Sequence, residues 1–216
     1  MTQRALAQDD KLARRAAILA AARGLFLADS HQLPSAARIA EAAGLAKGTV
    51  YLYFRTKEEI FVALLSEELG SLLAETAAVF EAATGRGEVV LARFIDHFVA
   101  YLDAHPELMR LDAMAYSVLE QNLSDEQLRV FKLDLTHALA RAGAAVDRAL
   151  GLPDGRGGSL LLRSYALTRG LWQSLDYPCK LRTLLADPVF ALLRPDFRSE
   201  LPQALAEYWR GALAAP

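Results

Sequence analysis

Apolar residues recur every three to four positions along almost the whole of this 216-residue chain, and nowhere do β-branched and polar residues alternate between turn signals. A period near 3.6 collects apolar side chains on one side of an α-helix, whereas a half-buried strand needs a period of two. The pattern therefore predicts an all-α protein. Ile18, Ala22, Leu25 and Phe26 make the first stripe, Ile60, Leu64, Leu72 and Phe80 another, and Leu128, Phe131, Leu135, Leu139, Ala142, Val146 and Leu150 a long third. Two more close the chain, one through Leu161, Tyr165, Trp172 and Leu175, the other through Leu201, Leu205, Tyr208, Trp209 and Ala212. With 53% apolar and 23% charged residues, the chain has the composition of an ordered protein with a substantial core.

Local chemistry predicts where the helices start and stop. Thr56 with Glu59 and Ser124 with Gln127 read as capping boxes, and Ser199 is expected to cap the last helix. His105-Pro106 ends a helix, because the residue before proline is pushed out of the helical region. Gly151 and Pro153 end another, residues 153–158 read as a loop, and a proline-punctuated stretch runs from Tyr177 to Pro195. Two short helices, 36–43 and 47–53, flank Gly44.

Charge is unevenly placed. Residues 1–57 carry nine basic side chains against four acidic ones, while the remaining residues hold 15 of the chain's 24 basic groups and 22 of its 26 acidic groups. A basic head on an acidic body points to a polyanion at one end. Other chemistries are not visible. No apolar run reaches the roughly 20 residues of a membrane span, and Arg4, Asp9 and Asp10 stand where a secretory signal would be apolar, so a cytoplasmic location is expected. Cys179 is the only cysteine and is expected to be an inert, buried thiol. His31, His97, His105 and His137 have no zinc spacing, and no nucleophile elbow or phosphate loop is present. No catalytic residue, metal or cofactor is assigned.

The stretch with most information is AARIAEAAGLAKGTVYLYFR, residues 36–55. A helix-turn-helix needs a small residue where its helices cross, a residue tolerant of positive φ at the turn, and apolar residues facing the core. Ala40, Gly44, and Ile39, Leu45 and Val50 with Tyr53 or Phe54 meet these needs in order. If Val50 and Phe54 face inward, Lys47, Gly48, Tyr51 and Leu52 face outward, where a major groove would receive them. Lys47 suits phosphate or guanine acceptors, Gly48 permits close backbone approach, Thr49 offers a hydroxyl or methyl, and Tyr51 suits phosphate and sugar. Lys57 lies in a helix's first turn, where a cation is unfavourable without a nearby anion such as phosphate. Ser35, Arg38 and Tyr53 complete the candidate DNA-binding set.

The run IAEAAGLAKGTVYLYFRTKEEIF, with Ser35 ahead of it as a helix cap, resembles the DNA-binding domain of the TetR family of bacterial transcriptional repressors. Lys47, Gly48, Tyr51 and Phe54, then Lys57, Glu58 and Glu59, carry the resemblance, which covers about residues 12–65. It implies a three-helix DNA-binding domain in residues 1–57, and a helical effector-binding and dimerisation domain in residues 58–216. It also implies a homodimer joined by its last two long helices, and repression of a double-stranded DNA operator that a small-molecule effector relieves. Three positions depart from the family pattern: Ala46 replaces the usual Ser or Thr cap, Ser30-His31 replaces a glycine, and Leu52 stands where an aromatic is frequent.

The segments carrying Tyr165 and Trp172, and Tyr208 and Trp209, are the candidate self-association surface. A candidate effector pocket combines Phe94, Phe98, Tyr101, Met109, Met114, Tyr116, Tyr165 and Trp172 with the polar anchors Glu120, Asn122, Arg169 and Gln173. Two other functions fit less well: a helical small-molecule enzyme, and an adaptor whose basic head docks on acidic protein. Neither gives the outward Lys47, Gly48, Thr49 and Tyr51 a purpose.

Overall fold

The computed structural model describes residues 3–29, 32–85 and 87–214. Ser30 and His31, where a departure from the family pattern falls, lie outside them. Among the described residues there are ten α-helices and no strand. In chain order they are α1 (Gln3–Ala28), α2 (Ala36–Ala42), α3 (Lys47–Tyr53), α4 (Lys57–Glu81) and α5 (Gly87–Ala104), then α6 (Pro106–Met114), α7 (Asp125–Leu150), α8 (Arg156–Leu175), α9 (Cys179–Leu184) and α10 (Phe197–Ala214). A π-turn at Ala115–Leu119 and 3₁₀ turns at Glu120–Asn122 and Pro188–Leu193 complete them. No helix among the described residues is long and apolar enough to cross a membrane.

The chain forms two compact units, the first of residues 1–69 with 106–134, the second of residues 70–105 with 135–216. The first extends beyond residue 57 because α4 buries Ile60, Phe61 and Leu64 in the same core as Ile18, Ala22 and Phe26 of α1. Phe26 and Phe61 meet there at 5.6 Å between ring centroids. The same unit takes in α6, which packs on α1. Arg23 of α1 forms ion pairs with the buried carboxylates of Glu68 on α4 and Glu107 on α6, the latter at 3.2 Å. The Ser124–Gln127 capping box is complete, and at Thr56 the hydroxyl caps as predicted while Glu59 reaches back one residue further than a capping box requires. Thr56 Oγ1 accepts from the Glu59 N–H at 3.2 Å while the Glu59 carboxylate accepts from the Arg55 N–H at 2.8 Å. Ser124 Oγ accepts from the Gln127 N–H at 3.3 Å, and Gln127 Oε1 from the Ser124 N–H at 3.0 Å.

The second unit is organised around Trp209 of α10, which is fully buried. Its ring lies 5.4 Å from Phe94 and 6.3 Å from Phe80, and its Nε1–H donates to Ser164 Oγ of α8 at 2.9 Å. Trp209 is thus core and not part of a self-association surface, and Ser164 serves that core. Helices α7 and α8 cross on glycine. A Cβ built on Gly157 would stand 2.3 Å from the Gly143 carbonyl oxygen, and one on Gly143 would stand 2.5 Å from the Gly158 nitrogen.

Three expected boundaries move. Helix α8 begins inside the expected 153–158 loop, because the Asp147 carboxylate reaches from α7 to accept from the Gly155 and Gly157 N–H groups at 2.8 and 2.5 Å. Those bonds supply the cap that Gly155 lacks. Helix α10 starts before Ser199, since Asp196 Oδ2 accepts from the Ser199 N–H at 2.9 Å and takes the capping role. Within the stretch from Tyr177 to Pro195 lie α9 and a 3₁₀ turn capped by Asp187, whose carboxylate accepts from the Val189 N–H at 3.0 Å. Cys179, expected to be buried, is exposed at the start of α9.

The glycine crossing generates a stability prediction. Gly157→Ala should destabilise the protein by about 1–3 kcal/mol or more, because its methyl meets backbone that has no rotamer to yield. Gly24→Ala, in α1, where an added methyl would meet nothing within 4 Å, should instead stabilise by about 0.5–1 kcal/mol through helix propensity. Urea unfolding of both variants, compared with the parent, checks the opposite signs.

Candidate nucleic-acid interface

Helix α3 has only seven residues, too few to be stable alone, so its orientation depends on what it buries. Val50 has no exposed surface and Phe54, the residue that ends the helix, is 6% exposed. Both face the core of the first unit. Ile39 and Ala40 of α2 are buried in that core, and Gly44 between the helices takes φ +66°. That is the left-handed region, where a side chain carries a penalty that glycine avoids.

With Val50 and Phe54 inward, Lys47, Gly48, Tyr51 and Leu52 are all exposed, as the sequence predicts. Leu52 is the extreme case at 83% exposure, and a Cβ added to Gly48, one turn before it, would meet nothing within 4 Å. Lys47 Nζ stands 5.8 Å from the Tyr51 ring centroid, so cation and ring share one side of the helix. Thr49 and Tyr53 lie half-buried at its margins. The face is thus a lysine and a phenol beside a notch at Gly48 and a projecting isobutyl group.

Flanking elements add further donors. Ser35 caps α2, its Oγ accepting from the Arg38 N–H at 3.3 Å, and the Arg38 side chain is exposed. Lys57, half-buried in the first turn of α4, lies 3.9 Å from Glu58. Arg55, absent from the set expected on residue type, is a further exposed cation at the α3–α4 junction. Its one signal in the sequence is its charge within the basic head, since it has no place in the motif. Ala46 has the extended conformation of a cap (φ −67°, ψ 144°) but no side-chain oxygen to supply one.

The candidate effector residues fall in both units. In the second, Phe94, Phe98 and Tyr101 are buried, Phe94 against Phe98 at 5.6 Å and Tyr101 on the His105 ring at 4.1 Å. Tyr165, Arg169 and Trp172 of α8 are half-buried and Gln173 is exposed. In the first unit Met109 is buried, Met114 half-buried and Tyr116 exposed. Glu120 pairs with Lys132 at 2.7 Å, and Asn122 Nδ2 donates to the Val118 carbonyl oxygen at 2.7 Å.

Comparison with known proteins agrees with the bihelical head and extends beyond it. Residues 18–64 match the family described as bacterial regulatory proteins, tetR family, and residues 66–216 match the tetracyclin repressor-like C-terminal domain. A fatty acid metabolism regulator protein of Bacillus subtilis (strain 168) is 36% identical over 56 residues, a stretch covering 26% of this chain and 29% of that protein. Two crystal structures share the fold. A tetR-family transcriptional regulator from Streptomyces coelicolor has a TM-score of 0.56 at 20% identity, over 90% of this chain and 78% of that one. The transcriptional regulator FadR from Bacillus subtilis, in complex with stearoyl-CoA, has a TM-score of 0.53 at 17% identity, over 88% of this chain and 95% of that one.

The uncapped start of α3 can be repaired. Ala46→Ser, at a position already in cap geometry, should stabilise the first unit by about 0.5–1 kcal/mol. Thermal unfolding and slower amide exchange in the first turn of α3 are the readouts, and no change in either would contradict the described helix start.

Proposed function

This chain belongs to the TetR family of bacterial regulatory proteins, and from that premise we propose that it is a homodimeric DNA-binding repressor, cytoplasmic and without catalytic activity, that a small-molecule effector releases from its operator. The observation that carries the reading is the outward set Lys47, Gly48, Tyr51 and Leu52 on a short helix whose other side is locked by Val50 and Phe54. A helix presented this way fits the major groove. Lys47, Arg38 and Lys57 supply phosphate contacts, with Ser35 and Tyr51 as polar partners, and Thr49, Leu52 and Tyr53 meet base edges or the sugar wall.

One such helix reads too few base pairs to select an operator, so two copies acting on paired half-sites are required. The exposed side of α8, with Leu162, Leu167 and Gly170, supports the proposed dimer surface alongside α10. The effector is assigned to the body, where Tyr165, Arg169 and Trp172 are half-buried on α8 and Gln173 beside them is exposed. It acts by favouring a dimer geometry that no longer matches the half-site spacing.

An operator selected from random duplex DNA tests the reading. Lys47→Ala should lower its affinity about fivefold or more and reduce the slope of log affinity against log salt by about one, with the melting temperature and oligomer size unchanged. Unaltered affinity would count against the assignment. Leu52 makes a second prediction, because the apolar feature on a base edge in the major groove is the thymine methyl. Replacing thymine by uracil at the contacted position should weaken binding about fourfold, a methyl being worth about 0.8 kcal/mol. Leu52→Ala should abolish that difference.

A further inference from the structure

Residues 177–195, between α8 and α10, expose more large apolar side chains than either helix beside them. Leu181, Leu184, Val189, Leu192 and Leu193 are all exposed, Val189 at 76% and Leu192 at 97%, and of the leucines in the segment only Leu185 is buried. The backbone that carries them is nonetheless tied. The Tyr177 hydroxyl donates to the Leu193 carbonyl oxygen and joins the two ends, Arg182 donates to the Tyr177 carbonyl oxygen at 3.0 Å, and Asp187 caps the 3₁₀ turn bearing Val189 and Leu192. The segment is therefore an ordered arm that presents apolar surface to water, the mark of a contact site.

The same unit holds a recess of matching chemistry. A cleft of about 860 Å³ runs between the C-terminal half of α7 and the first turns of α8. Ala140, Gly143 and Ala144 line it from α7, and Gly158, Ser159 and Leu162 from α8. Small residues there leave room for side chains from outside, and the arm does not fill it, since Leu192 is almost wholly exposed. The arm leaves the C-terminal end of α8 while the cleft lies at its N-terminal end, and a helix of 20 residues is about 30 Å long.

A second copy of this chain is the occupant that meets both needs. A stable homodimer buries about 800 Å² on each partner around an apolar centre. Among the described residues α10 exposes no large apolar side chain and α8 exposes two, Leu162 and Leu167, so the two long helices alone lack such a centre. Leu162 also lines the cleft, which makes the cleft and the α8 face one continuous surface. Where two copies of α8 pair antiparallel about a twofold axis, the C-terminal end of each lies beside the N-terminal end of the other, and the arm of one comes to the cleft of its partner.

We propose that the arm is exchanged: in the homodimer Val189, Leu192 and Leu193 of each protomer seat on the α7–α8 cleft of its partner. The inference rests on the homodimer reading and specifies it, moving the apolar centre of the interface from the long helices to the segment between them.

Sedimentation equilibrium of the full-length protein tests the exchange. The parent is expected to be a dimer at low micromolar concentration. Val189→Glu/Leu192→Glu should raise the dimer dissociation constant about 30-fold or more, with the circular dichroism spectrum unchanged, because both side chains are exposed in the protomer. Cysteine pairing then locates the contact. In a Cys179→Ser background, a chain carrying both Ala140→Cys and Leu192→Cys should give covalent dimers on mild oxidation, and neither single variant should. A monomeric parent would overturn the homodimer reading and this inference together. A dimeric parent whose dissociation constant the glutamates leave unchanged would overturn the arm alone, as would a disulfide closed within one chain or covalent dimers from Leu192→Cys by itself.

Discussion

The complete burial of Val50 determines what the first unit shows to its surroundings. Seven residues of helix without a side-chain cap cannot choose an orientation by themselves. Val50 chooses it, Phe54 fixes it one turn later, and the positive φ of Gly44 lets α2 and α3 meet at the angle these burials need. Each residue of an α-helix is turned about 100° from the last, so the burial of Val50 puts Gly48 and Leu52 on the opposite side, with Tyr51 on the flank and Lys47 exposed at the start of the helix. An isobutyl group at 83% exposure is a cost in water, and it is retained on a helix pair whose Ile39, Val50 and Phe54 are all buried.

The second unit achieves order by different means. Trp209 gathers rings from α4 and α5 and hydrogen-bonds α8, so that four segments share one aromatic centre. Against it, α7 and α8 approach so closely at Gly143 and Gly157 that no methyl fits. Asp147 completes this crossing by capping α8 from α7. A carboxylate buried to 6% exposure is tolerable there because two backbone N–H groups at a helix N-terminus both solvate it and favour its charge.

The features readable from sequence are those set by neighbours in the chain. Thr56 with Glu59, Ser124 with Gln127, the stop at His105-Pro106 and the pair of helices about Gly44 are local devices, and each sits where residue type and spacing put it. What sequence does not show depends on distant partners. The Asp147 cap comes from another helix, so the start of α8 reads as loop. Asp196 and Ser199 are both ordinary capping residues, and residue type alone does not decide between them; in the structure the Asp196 carboxylate accepts from the Ser199 N–H. Trp209 reads equally as an interface or core aromatic until its neighbours are known. The outward face of α3 is legible because a single buried residue decides it, whereas a pocket needs several helices placed at once.

Charge gives the same lesson in a form that bears on function. Divided along the chain, the head is basic and the remainder acidic, with the boundary near residue 57. Divided by compact unit, the first 69 residues share their core with residues 106–134, and carboxylates of α4 and α7 stand in the same unit as the cations of α2 and α3. The basic surface is therefore narrow. Lys47 and Arg38 are exposed on one side, while Glu67, Glu126 and Asp134 border a cleft behind Phe54. On the DNA-binding reading proposed above, a duplex would be attracted to the cations and repelled by the carboxylates, which restricts how it could dock. Net charge, at −2 for the whole chain, conceals this, because specificity of approach comes from the separation of opposite charges within a unit and not from their sum.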